Sequence, residues 1–187
     1  MAGDPARKRA AYEDVLRAPP TKVAEVVDGV LYTSARPASR HALAASALGG
    51  ELSGPFQRGR GGPGGWILLD EPELHLGDDI VVPDLAGWRR ERMPQVPDVA
   101  YFTLAPDWVC EIASPGTAAL DRAHKLPIYA RESVAHAWII DPTARTVEVF
   151  RRDATHWTLL RTVHGDAPAR LEPFDAIELE LSALWTP

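Results

Sequence analysis

Between Trp108 and Asp141 the chain reads as a buried strand, a helix and a second buried strand. No other stretch constrains the fold as much. WVCEIA, residues 108–113, is apolar except for Glu111, and HAWIID, residues 136–141, is apolar over most of its length. Two buried strands joined by a helical crossover belong in a sheet covered on both faces. After Asp141, TVEVFRR and HWTLLRTV alternate apolar and polar residues, as antiparallel, half-exposed strands do. The expected architecture is therefore α/β (α+β), a central mixed β-sheet flanked by helices.

The remaining segments fit around that unit. ARKRAAYEDVLRA predicts a helix within residues 1–20, stopped by Pro19 and Pro20. KVAEVVDGVLYTSA is a hairpin turning at Asp28-Gly29. SRHALAASALGGEL is a second helix, with Gly49-Gly50 marking its end. WILLDEPELHL and IVVPDLAGW are two strands joined at residues 77–79, and AIELEL is a last strand. The glycine-rich segment 58–65 lacks the Lys-Ser/Thr ending of a phosphate-binding loop, so it predicts no nucleotide site. A length of 187 residues predicts a single domain over 1–187, with its core at about 22–182.

Composition narrows the class. No apolar run approaches the ~20 residues of a membrane span, and the N-terminus has no apolar secretory core. The single cysteine, Cys110, excludes an internal disulfide and points to a reducing, cytoplasmic compartment. A net charge of -6 argues against broad nonspecific nucleic-acid binding. Local basic clusters remain at Arg58 and Arg60, and at Arg89, Arg90 and Arg92. They are either solvated loop charges or phosphate contacts.

Glu111 is the anomaly. An ionised carboxylate in an apolar strand costs several kcal/mol unless a hydrogen-bond network, a basic partner or a metal compensates it. Asp84 repeats the oddity in IVVPDLAGW, directly after Pro83, and proline in a strand favours an edge or a bulge. If the two strands are neighbours, the carboxylates converge. At ~5 Å they repel by roughly 3 kcal/mol at an effective dielectric near 20. A divalent cation reverses that sign, and oxygen ligands suit Mg2+ or Mn2+ better than zinc. Glu73 joins the set if Asp78-Asp79 is a two-residue turn, because that register sets Glu73 opposite Asp84. Asp121 and Lys125, four apart on one helical face with Tyr129, are either an exposed ion pair or a sheet-facing lysine. Pro127 should kink or stop that helix near Lys125.

These residues also form a known pattern. The ordered set of Pro83-Asp84, EIASPGT (111–117), DRAHK (121–125) and WIIDP (138–142), preceded by AEVVDGVLY (24–32), resembles the Uma-two type endonucleases of the PD-(D/E)XK restriction-endonuclease-like superfamily. The resemblance runs from about Val23 to Leu181. It implies a restriction-endonuclease-like fold and an acidic magnesium site, with Asp84 and Glu111 as catalytic residues and metal ligands. The chain departs from the superfamily at Ala113, where the third motif position is usually lysine. The resemblance places that lysine on the following helix, as Lys125. His41 also matches a family position; its alternative is a packed or capping histidine.

The expected activity is magnesium-dependent hydrolysis of DNA phosphodiester bonds. In it Lys125 orients water or stabilises developing charge, and Arg89 and Arg90 bind flanking phosphates. DNA is the expected partner, a homodimer is compatible, and no membrane is implied. Two alternatives stay open: a catalytically inactive DNA-binding or regulatory module on the same fold, and a carboxylate-pair hydrolase acting on sugars.

Overall fold

In the computed structural model, which describes residues 9–186, the apolar segments form two sheets. The chain runs α1 (Tyr12–Leu16), β1 (Lys22–Val27), β2 (Val30–Ala35), α2 (Ser39–Leu52), β3 (Trp66–Asp70), β4 (Leu74–Leu76), β5 (Asp79–Val81) and β6 (Leu85–Arg89). It continues through β7 (Trp108–Ile112), α3 (Ala118–Leu120), α4 (Leu126–Arg131), β8 (His136–Asp141), β9 (Thr146–Asp153) and β10 (His156–His164). A π-helical turn at Asp121–Lys125 joins α3 to α4. One sheet has the order β10-β9-β8-β7-β6-β3 and the other β2-β1-β5-β4.

The six-stranded sheet is mixed, as expected: β7 and β8 pair parallel, and every other pairing in it is antiparallel. Alternation along the strands divides its side chains between two cores. Trp108, Cys110, Ile112, Trp138 and Ile140 face Ala44, Leu48 and Leu52 of α2, together with Phe174. Val109, Ala137, Ile139, Ala86 and Trp88 face Leu126, Ile128 and Tyr129 of α4 and Val27, Leu74 and Val81 of the smaller sheet. Cys110 is buried and unpaired. No helix among the described residues is long and apolar enough to cross a membrane.

The two sheets share one hairpin. Trp66 pairs with Arg89 and Asp70 with Leu85 in the larger sheet, while Leu74 pairs with Val81 and Leu76 with Asp79 in the smaller. Both halves keep a single register, which sets Pro72 opposite Pro83 and Glu71 opposite Asp84. The Glu71 N–H donates to the Asp84 carbonyl at 3.0 Å. Facing prolines remove the ladder donors on both strands, so the ribbon parts there and its halves join different sheets. WILLDEPELHL and IVVPDLAGW are therefore two short strands each. The hairpin turn is Gly77-Asp78, with only Gly77 left-handed at φ +64°, the glycine-first two-residue turn. The expected Asp78-Asp79 turn is one residue out, and Glu71 rather than Glu73 faces Asp84.

Other boundaries also differ from expectation. The Ala10 N–H bonds the Gly29 carbonyl at 2.8 Å, holding the entry strand extended, so α1 begins only at Tyr12. The part of the N-terminal helix expected over residues 1–8 lies outside the described residues. The second helix continues past Gly49-Gly50 to Leu52, held by the packing of Leu48 and Leu52 against the sheet. AIELEL forms no strand. Leu179 makes a single bridge to Ala169, and its neighbours bury Leu181 and Leu184 in the core instead. Pro127 does not end its helix; the π turn precedes it and the helix continues to Arg131.

Gly87 lies where two tryptophans close over β6. A Cβ there would stand 2.9 Å from Leu68 Cδ2 and 3.2–3.3 Å from the Trp66 and Trp108 rings. Gly87→Ala is expected to cost about 1–3 kcal/mol in urea unfolding, as overpacking does; a neutral result would mean that β6 is not clamped in this way.

Candidate active site

The C-terminal end of β7 and the N-terminal end of β6 meet where the hairpin parts. Leu85 pairs with Cys110, so the register sets Asp84 beside Glu111 across adjacent strands, on the face shared with Val109 and Ala86. Asp84 Oδ2 accepts the Ile112 N–H at 2.6 Å, and Oδ1 lies 2.5 Å from His41 Nε2. The α2 N-terminal turn delivers His41. Both carboxylates line a cleft of about 470 Å3, together with His41, Asp121, Lys125 and Glu71.

At the base of the cleft lies a buried ionic cluster. Lys125 is 2% exposed and Glu111 3%. The Lys125 ammonium lies 2.9 Å from Glu111 Oε1, 2.9 Å from Glu25 Oε1 and 3.2 Å from the Val82 carbonyl. Asp121 Oδ1 is more distant, at 3.8 Å. The ammonium donates a hydrogen bond to the Val82 carbonyl and meets the two carboxylates as close ion pairs. Tyr129 donates its hydroxyl to Glu111 Oε1 at 2.5 Å, and the Val82 N–H donates to Glu25 Oε1 at 2.8 Å.

The charges are unbalanced. Burial opposes the Lys125 ammonium, but Glu111 and Glu25 outweigh it and raise its pKa well above the usual value. Lys125 is therefore cationic. Burial pushes Glu111 well up; Lys125 pulls it back, while Asp121, Asp84 and Glu25 push it further. Asp121 is raised to about 6, chiefly by burial. For His41, burial lowers the pKa, but the hydrogen bond and charge of Asp84 prevail and raise it. Four carboxyl groups, Glu25, Glu111, Asp84 and Asp121, thus meet one lysine and one histidine, and burial holds Glu111 and Asp121 towards the protonated form.

No group of three or more His, Cys, Asp or Glu side chains among the described residues is arranged to hold a metal ion. Asp84 and Glu111 face the cleft from adjacent strands, with Glu25, Glu71 and Asp121 also in its lining, so the carboxylate donors are all oxygen. That set fits magnesium, which commonly takes one or two carboxylates and completes its shell with water and substrate phosphate.

Other candidates lie elsewhere. Glu73 Oε1 bonds His75 Nε2 at 2.7 Å and is not among the cleft residues. Arg89 and Arg90 are at the far end of β6, about 16 Å from Asp84 at ~3.3 Å per residue. Arg89 lies over the Trp66 ring, and Arg90 donates to the carbonyls of Pro94 and Gln57. The arginine that lines the cleft is Arg36, 3.4 Å from Glu71.

The Uma2 family model, described as "Putative restriction endonuclease", matches residues 10–183. The chain belongs to the Uma2 family. Among solved structures it is similar to one titled a putative nuclease belonging to DUF820, from Anabaena variabilis ATCC 29413. The two share 20% identity, the match covers 95% of this chain and 98% of that one, and the TM-score is 0.71. No curated protein matches the sequence. At that identity the structural likeness establishes the fold.

Sequence reasoning missed two carboxylates that line the cleft of this Uma2 family member. Glu25 carries the same signal as Glu111, a carboxylate within an apolar strand (AEVV), and that rule applied to β1 finds it. Glu71 has no such signal, since only the hairpin register brings it to Asp84.

Two expectations follow for stability. Glu25→Gln keeps the acceptor for Val82 but removes a charge from Lys125, and is expected to lower stability by about 1.5–3 kcal/mol; an unchanged denaturation midpoint would exclude a structural role for this contact. Asp121 binds its proton more tightly in the folded state, at about 6 against the ordinary 3.8. Its ionised form therefore costs stability above pH ~6, and the cost fades as pH falls towards 4. Asp121→Asn should raise the melting temperature by about 4–8 °C at pH 8, with the gain shrinking by pH 4. A gain independent of pH would contradict the assignment.

Proposed function

We propose that this protein is a magnesium-dependent endonuclease that hydrolyses DNA phosphodiester bonds. Family membership supports the nuclease class. One observation carries the finer reading: Asp84 and Glu111 stand side by side on adjoining strands, at the wall of an open cleft, where carboxyl groups outnumber basic ones. The residues divide the work. Asp84 and Glu111 would hold the ion, which would supply Lewis-acid polarisation of the phosphate and a more acidic water. The Ile112 N–H and His41 fix the Asp84 carboxylate, and Tyr129 and Lys125 fix Glu111 by one oxygen, leaving Oε2 for the cleft.

Lys125 is the lysine that the resemblance assigns to the displaced motif position, and it is buried against Glu111, Glu25 and the Val82 carbonyl. In this reading it acts as the counter-charge that draws Glu111 towards its ionised form and orients it. Asp121 adds to the field. Glu73, Arg89 and Arg90 fall outside the reacting centre. The burial of the lysine also favours a second reading, a DNA-binding module without catalysis. Magnesium titration by calorimetry separates the two, since the module binds no ion.

Asp84→Asn and Glu111→Gln are each expected to remove magnesium-dependent cleavage by at least about 100-fold while remaining folded. Magnesium should raise the melting temperature of the wild type and of neither variant. Cleavage retained in either variant would overturn the assignment.

A further inference from the structure

A second cavity, of about 260 Å3, opens beside the cleft and is lined by Arg40, Leu43, Pro142, Thr143, Arg145 and Trp185. The first turn of α2 separates the two. Arg40 directly precedes His41, whose ring meets Asp84. Pro142 and Thr143 follow β8 at the end of the sheet where the Ala113 N–H bonds the Ile140 carbonyl, the same end at which the cleft lies.

The lining is selective. Arg40 and Arg145 are exposed, Trp185 is half-buried and Pro142 buried. Arg40 enters none of the ion pairs among the described residues. Arg145 reaches only Asp166, at 3.5 Å, and the Trp185 indole N–H donates to that same carboxylate at 3.1 Å. An exposed ion pair that long is worth little and yields readily to a stronger anion. Two guanidinium forks suit a phosphate, and an indole face beside arginine suits a nucleobase, whatever its identity. The volume lies just below the ~300–1,000 Å3 of small-molecule pockets, which suits one residue of a polymer rather than a length of it.

We propose that this cavity binds the nucleotide next to the scissile phosphate, with its base against Trp185 and its phosphate between Arg40 and Arg145. The proposal rests on the nuclease reading above. It assigns phosphate contact to arginines beside the cleft rather than to Arg89 and Arg90.

The test uses the whole chain and a labelled oligonucleotide, with affinity measured by fluorescence anisotropy in calcium and cleavage measured in magnesium. Arg40→Ala combined with Arg145→Ala should weaken binding at least about tenfold. The slope of log K against log salt should fall by about 0.9, the value of one duplex phosphate contact, and the loss should appear mainly in KM. The corresponding double lysine variant should recover the salt slope. Trp185→Leu should abolish quenching of 2-aminopurine placed beside the cut. Melting curves check that each variant is folded. A wild type that cleaves while the alanine variant keeps its affinity and salt slope overturns this pocket alone. A wild type that neither binds nor cleaves the oligonucleotide overturns the nuclease reading, and the pocket with it.

Discussion

A buried ammonium joins the two sheets. Lys125 touches Glu111 of the larger sheet and Glu25 of the smaller, each at 2.9 Å, and caps the Val82 carbonyl where the shared hairpin parts. Removing a lysine and its carboxylates from water is expensive, and the attraction between them offsets that cost only when the geometry is close and every proton is used. Here both carboxylates lie at 2.9 Å and the Val82 carbonyl accepts one of its hydrogen bonds. The same contacts orient Glu111 in the cleft, so the interaction that closes the seam between the sheets also prepares the acidic site.

The second determinant is negative in character. Pro72 and Pro83 deny the hairpin its hydrogen bonds at one level, and the ribbon divides. Had it continued, Asp84 would lie within an unbroken ladder and its neighbours would belong to one sheet. Division leaves the Asp84 carboxylate free to accept the Ile112 N–H from β7 and to meet His41 from α2. Glu71, held at φ +45° on the opposite strand, marks the strain of the bend.

Much of this was legible in the chain. The strand–helix–strand unit from Trp108 to Asp141 could be read because burial on both faces leaves an unmistakable apolar run. Glu111 and Asp84 stood out because a carboxylate in such a run needs a reason. Glu73 was misplaced because setting the turn one residue late, at Asp78-Asp79 instead of Gly77-Asp78, moves every facing pair by two. AIELEL alternates like a strand, yet alternation records only that one side is buried. It does not say whether a sheet edge is available. Gly49-Gly50 looked like a stop because propensity is local, whereas packing of α2 is not.

The sequence by itself determined that acidic groups are set into apolar strands, that a lysine four residues from an aspartate follows on a helix, and that a mixed sheet is covered by helices. These features depend on residue type and short-range periodicity, which a single chain displays directly. Only the tertiary structure decided that Lys125 is buried rather than exposed, that its third partner is Glu25 from a second sheet, and that Arg40, Arg145 and Trp185 gather beside the cleft. Those depend on contacts between residues far apart in the chain, fixed by where the hairpin parts and how the two sheets close around one charge.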